Sequence, residues 1–197
     1  VRRRGERGAP AFERFYEELY ASRWPRLRTA LLAEGASVAF TEGLLAPYYL
    51  DPASVAAARA LRVEPGEMVL DLCAAPGGKS LVLASGLRLG APDAEEAGGR
   101  LVCNERSSTR RARLHRVLEA HLSPAARESI VVTGHDAARW ALFEPEAYDR
   151  ILADVPCSSE QHLLHSAAAL SQWSPSRTRR LAQGAYAIAC AAFDALM

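Results

Sequence analysis

Met68-Val69-Leu70-Asp71-Leu72 runs as an apolar strand into Cys73-Ala74-Ala75-Pro76-Gly77-Gly78-Lys79-Ser80 and resumes as the apolar Leu81-Val82-Leu83-Ala84. A strand, a glycine-bearing turn and a helix in that order make an anion cradle, because a helix start offers unpaired N–H groups and the positive end of its dipole. Gly77 and Gly78 leave out side chains where backbone amides must come close to a ligand. The turn misses the phosphate-loop pattern G-x-x-x-x-G-K-[ST] by one position, with Cys73 in place of the first glycine. A P-loop-like NTPase is therefore a rival reading, weakened by the stiff filling Ala74-Ala75-Pro76.

Charge narrows the partners. In 197 residues, 24 Lys and Arg against 23 Asp and Glu leave a net charge of +1, so any nucleic-acid surface must be local. Lys79 is the only lysine in an arginine-using chain, and a point ammonium is not interchangeable with a guanidinium fork. Cys73, Cys103, Cys157 and Cys190 form no C-x-x-C pair, which argues against zinc or a disulfide framework and for a reducing compartment. His162-x-x-His165 lacks an acidic third ligand nearby and reads as loop, so no metal is expected. With no membrane-length apolar run and no signal-peptide pattern, the expectation is a soluble cytoplasmic protein. Its opening, Val1-Arg2-Arg3-Arg4-Gly5-Glu6-Arg7-Gly8, reads as the start of a flexible basic arm over residues 1–11.

Phe12, Phe15, Tyr16 and Leu19, then Leu27, Leu31 and Leu32, recur at helical spacing with a break at Trp24-Pro25. Two short helices are predicted there. Tyr48-Tyr49-Leu50 reads as loop, and Asp51-Pro52 as the cap and first-turn proline of a helix reaching Leu61. Residues 12–64 thus read as a helical cap. From Pro65-Gly66 onward, strands over 68–72, 100–104, 130–133 and 151–154 alternate with helices over 79–89, 109–122, 137–142 and 175–196. That pattern implies an α/β core over residues 65–197, with a parallel sheet covered on both faces. Residues 91–99 read as a mobile acidic surface loop, and Cys190, mid-helix among alanines, as core.

Ligands of such sheets bind at the carboxyl ends of the strands. Beyond the turn, those ends carry Glu105, Asp136 and Asp154-Val155-Pro156-Cys157. A carboxylate at Glu105 suits the two hydroxyls of a ribose. Asp136 suits an exocyclic amine or, equally, a helix cap. Asp154 suits either a base's amine or, in an NTPase, magnesium, but Pro156-Cys157 has no task in an NTPase. Arg106, Arg110, Arg111, Arg113 and Arg116 crowd one helix start and Arg177, Arg179 and Arg180 another, as phosphate contacts or as solvated faces.

Asp71-Leu72-Cys73-Ala74-Ala75-Pro76-Gly77-Gly78-Lys79 resembles, nearly letter for letter, the signature of the NOL1/NOP2/Sun (RsmB/RsmF-like) RNA cytosine-5 methyltransferases. Asp154-Val155-Pro156-Cys157-Ser158-Ser159 resembles that family's Asp-x-Pro-Cys-[Ser/Thr]-[Gly/Ser/Thr]. The resemblance, over about residues 12–197, implies a Rossmann-like S-adenosylmethionine-dependent methyltransferase fold. It also implies transfer of a methyl group to cytosine carbon 5 in RNA, with rRNA in an exposed loop as the expected partner. S-adenosyl-L-methionine would be held by Cys73 to Lys79, Glu105, Arg110, Asp136, Ala137 and Asp154. Asp154 would also hold the target base, and Cys157 would help release product. The family's nucleophile is a second cysteine, in a Thr-Cys motif on a further strand, which this sequence does not contain before Met197. The expectation is a truncated enzyme that binds cofactor weakly without methylating, its sheet left with an association-prone edge, or a non-catalytic RNA-binding ribosome assembly factor on the same fold.

Overall fold

A computed structural model describes residues 7–92 and 98–197. Residues 1–6 of the expected arm over 1–11, and the middle of the acidic loop, 93–97, lie outside the described residues. The elements in chain order are α1 (Ala9–Tyr20), α2 (Trp24–Leu32), β1 (Val38–Phe40), β2 (Tyr48–Leu50), α3 (Pro52–Ala60), β3 (Met68–Asp71) and α4 (Gly78–Gly86). Then come β4 (Arg100–Asn104), α5 (Ser108–His121), α6 (Pro124–Glu128), β5 (Ile130–Thr133), β6 (Arg150–Leu152), α7 (Glu160–His165), α8 (Ala167–Ser171) and α9 (Pro175–Ala195). Short 3-10 turns occupy Ala21–Arg23 and Ala137–Leu142.

The chain divides into two compact units: the residues up to Gly35 with Pro156–Ala185, and Ala36–Val155 with Tyr186–Met197. The second holds the sheet, four parallel strands in the order β5-β4-β3-β6. Successive residues of a strand face opposite ways, and here both faces are apolar. Val69, Leu101 and Cys103 join one core with Leu81, Leu83, Leu114 and Leu118 of the covering helices. Leu70, Leu72 and Val102 join another, with Trp140, Tyr148, Ala191, Ala192 and Ala195. Asp51 caps α3 by accepting from the Ala53 N–H, and Ser107 caps α5.

The smaller unit is built on stacked rings. Pro10 and Pro25 open α1 and α2 at first-turn positions where a missing N–H costs nothing. α1 then places Phe12 4.7 Å from Tyr16 and 5.1 Å from Trp173, and Tyr16 stacks on Trp24 at 4.9 Å. The buried Tyr16 hydroxyl donates to Glu160, and the Ser158 hydroxyl donates to the same carboxylate.

Several expectations are corrected. Residues 9–11 are the first turn of α1, with Ala11 buried, rather than the end of an arm. The expected cap over 12–64 is shared between the units, because rings of α1 and α2 pack on Leu163 and Trp173, far ahead in sequence. Tyr48-Tyr49-Leu50 is a strand, paired antiparallel with β1; three residues are too few for alternation to show. The connection after β6 carries α7 and α8, so His162 and His165 stand on a helix rather than a loop. Cys190 is exposed, because α9 buries the stripe of Ala191, Ala192 and Ala195 and turns Cys190 outward.

Candidate functional site

The chain leaves β3 at Asp71, and the turn is pinned on both sides: Leu72 N–H donates to the Leu152 carbonyl and Ala74 N–H to the Asn104 carbonyl, both at 2.9 Å. Asn104, buried, ties three strand ends together. Its amide donates to the Leu72 and His135 carbonyls, and its oxygen accepts from the Thr133 hydroxyl and the His135 N–H. The Ala75–Pro76 peptide is cis, and α4 starts two residues later.

The two glycines are required by packing against protein. Gly77 has φ +120°, and a Cβ there would lie 3.0 Å from Val117 Cγ1 and 3.1 Å from Leu114 Cδ1. A Cβ on Gly78 would lie 2.9 Å from Tyr48 Cε1. They let α5 and β2 close on the turn, where the sequence reading assigned them to ligand approach alone.

A cavity of about 110 Å³ opens beside the turn. Cys73, Ala74, Ala75, Pro76, Gly78, Lys79 and Asp154 line it, joined by four residues the sequence reading did not assign to a site: Tyr48, Leu50, Ser54 and Asp71. Asp71 was legible as the last polar residue of an apolar strand; Tyr48 and Ser54 arrive through the unforeseen hairpin and α3, with no local signal. Lys79 Nζ sits 2.7 Å from Asp154 Oδ2 and donates to Ser54 Oγ at 3.0 Å. Asp71 is buried; its Oδ2 accepts from the Ser80 hydroxyl at 2.7 Å, while its Oδ1 has no hydrogen-bond partner among the described residues. Burial pushes the Asp71 carboxyl up to about 6, against the opposing pull of Ser80, the Cys73 N–H and Lys79.

Glu105, Arg110 and Asp136 are engaged with their neighbours. Glu105 is buried, accepts from the Ser107 N–H at 2.8 Å and pairs with Arg110 at 3.1 Å. Arg110 also donates to the Ala75 carbonyl at 2.7 Å, so it clamps the turn to the end of β4. Asp136 accepts from the Ala138 N–H as a cap and pairs with Arg106 at 3.1 Å; Ala137 beside it is buried. Arg111 donates to the Glu105 and Arg106 carbonyls. Three of the five clustered arginines thus bind the fold itself.

The cysteines differ sharply. Burial, helped by the charges of Asp71 and Glu105, pushes the Cys73 thiol up to about 11, and burial raises Cys103 further. Cys157 is exposed in the smaller unit, its Sγ 3.9 Å from Ser159 Oγ. Ser159 adopts the left-handed region at φ +56°, where glycine is at home. Among the described residues, no cluster of three His, Cys, Asp or Glu side chains is placed to hold a metal ion, and no helix is long and apolar enough to cross a membrane.

Residues 58–194 match the family model of the 16S rRNA methyltransferase RsmB/F. The chain is 41% identical over 125 residues to the 5-cytosine rRNA methyltransferase NSUN4 of Bos taurus, covering 62% of this chain and 30% of that protein. It is 35% identical over 159 residues to the ribosomal RNA small subunit methyltransferase F of Klebsiella pneumoniae, covering 79% of this chain and 31% of that one. The chain therefore spans about a third of the length of these curated relatives. Among solved structures, NSun6 from Pyrococcus horikoshii with SFG superposes with a TM-score of 0.61 at 21% identity, over 80% of this chain and 36% of that one. That likeness establishes the Rossmann-like methyltransferase fold.

Proposed function

The chain belongs to the 16S rRNA methyltransferase RsmB/F family, and on that premise we propose that it forms the S-adenosyl-L-methionine-binding part of an enzyme that methylates carbon 5 of a cytosine in RNA. One observation carries the reading: the family's turn and the acid of its Pro-Cys motif line one cavity, with Lys79 and Asp154 in contact. The donor set fits the amino-acid end of that cofactor. Lys79 and the first amides of α4 suit a carboxylate, and the unpartnered, buried Asp71 Oδ1 suits an ammonium group.

When bound, the cofactor supplies an electrophilic methyl group. Glu105, which Arg110 holds in place, would accept from the ribose hydroxyls, and Asp136 and Ala137 would serve the adenine end; these residues lie at the neighbouring strand ends rather than in the cavity lining. Asp154 accepts from the exocyclic amine of the cytosine and favours the electron-poor ring that a thiolate attacks. Carbon 5 becomes nucleophilic only after a thiolate adds to carbon 6. Burial raises the thiols of Cys73 and Cys103, and Cys103 is sealed in the core, which disfavours both as that thiolate. The exposed Cys157 is assigned to product release. The target base must leave its stack, which is cheapest in an unpaired loop, and rRNA is the substrate this reading favours. Four free cysteines suit a reducing cytoplasm, which belongs to the same proposal.

Calorimetry with S-adenosylhomocysteine and, separately, with ATP–magnesium tests the reading. Binding of the first alone is expected; binding of ATP alone would replace this proposal with the NTPase. Joining the chain to a Thr-Cys segment and following tritium transfer into rRNA tests the chemistry, and RNA binding without transfer would favour an assembly factor.

A further inference from the structure

Among the described residues, the lining of the cavity holds two carboxylates, Asp71 and Asp154, and a single cation, Lys79. Lys79 is already occupied: its ammonium contacts Asp154 Oδ2 at 2.7 Å and Ser54 Oγ at 3.0 Å, which among the described residues leaves one N–H uncommitted. A ligand carboxylate entering the cavity brings a third anion to that one ammonium. Asp71 cannot give way, being buried and tied to Ser80, and it is not Lys79's partner. Asp154 can, because its side chain is 56% exposed and loses little by turning to water.

We infer that Lys79 is a switch shared by two ligands: the carboxylate of the cofactor takes the ammonium from Asp154, and Asp154 is thereby released to receive the amine of the base. The inference rests on the cofactor reading above and adds a direction to it. Before cofactor enters, the acid meant for the base is engaged within the protein; once cofactor is bound, it is free. Because binding free energies are reciprocal, a base that draws Asp154 away also returns Lys79 to the cofactor, so the two ligands help one another bind. The contest is local, and the Lys79–Asp154 contact sets its size.

Titrating S-adenosylhomocysteine into five chains tests it: the parent, Asp154→Asn, Asp154→Glu, Lys79→Gln and the double variant Lys79→Gln with Asp154→Asn, with displacement titration where binding is weak. Freed of its competitor, Asp154→Asn should bind about two- to fivefold more tightly than the parent, the range of a half-exposed ion pair. In the Lys79→Gln background the same change should have no effect, as the double-mutant cycle requires when the gain runs through Lys79. Asp154→Glu, which restores the charge, should return the affinity toward the parent's, and unchanged melting temperatures will show that the Asp154 variants are folded. Equal tightening with and without Lys79 would mean simple charge repulsion and would overturn the switch. So would weaker or unchanged binding in Asp154→Asn. A parent chain that does not bind S-adenosylhomocysteine at all would remove the cofactor reading itself, and the switch with it.

Discussion

Asp71 is a carboxylate sealed from water with one oxygen unpaired. Its pKa rises from 3.8 to about 6, chiefly through burial, so the folded chain keeps a proton that the unfolded chain releases between those values. The group's contribution to stability is therefore fully present below the lower value and is lost as pH rises through the higher one. A gap of roughly two units sets a ceiling of about 3 kcal/mol. Asp71→Asn does not titrate, so urea unfolding should show the variant gaining on the parent between about pH 4 and about pH 7, by up to that amount. A difference that stays constant across the range would show that Asp71 is ionised throughout. Gly78 makes a second residue-scale prediction. Gly78→Ala places a methyl against Tyr48 and should cost about 1–3 kcal/mol, partly recovered by Tyr48→Ala. Asp71 and the glycines were visible in the sequence as parts of a strand–turn–helix signature. What those glycines touch was not, because Val117 and Tyr48 lie some forty and thirty residues away on opposite sides.

At the scale of elements, α5 separates two kinds of arginine. Arg110 bridges Glu105 and the Ala75 carbonyl, and Arg111 binds carbonyls at the end of β4, whereas Arg113 and Arg116 are exposed. The sequence showed five arginines crowded at one helix start, three of them at helical spacing, and could not divide them, since the division depends on where the turn and β4 end in space. Arg113→Ala with Arg116→Ala should lower the salt slope of RNA binding by up to about two while leaving the melting temperature alone. Arg110→Ala should instead destabilise the fold by about 1–3 kcal/mol, because it strands the buried Glu105 without its charge partner. An unchanged salt slope in the double variant would return Arg113 and Arg116 to an ordinary solvated face. The smaller unit has its own test in Tyr16, whose hydroxyl is kept protonated by burial and by Glu160. Tyr16→Phe keeps the ring stack and should cost about 1–3 kcal/mol, the loss of one hydrogen bond to the half-buried Glu160 carboxylate, to which Ser158 still donates. No loss would mean that water replaces the hydroxyl at Glu160.

Across the whole molecule, the strand–helix alternation from Met68 onward was readable where each strand is a short apolar run and where α4, α5 and α9 are long enough to show their period; α6, α7 and α8, of five or six residues, were not. The hairpin of β1 and β2 and the smaller unit were not readable. Their strands and helices are short, and the contacts that define them, such as Tyr16 with Glu160, join residues far apart in the chain. The units also differ in what a ligand should do to them. Every residue lining the cavity, from Tyr48 to Asp154, belongs to the unit of the sheet. A ligand that binds only the native cavity stabilises the unit that builds it, by about 2.7 kcal/mol at a hundredfold excess over its dissociation constant. Hydrogen exchange with saturating S-adenosylhomocysteine should therefore slow at the amides around Cys73 to Lys79, at Asn104 and in α3, while the amides of α1, α2 and α7 exchange as before. Equal slowing in both units would show that they open together. Slowing confined to α1, α2 and α7 would show that the ligand binds somewhere other than this cavity.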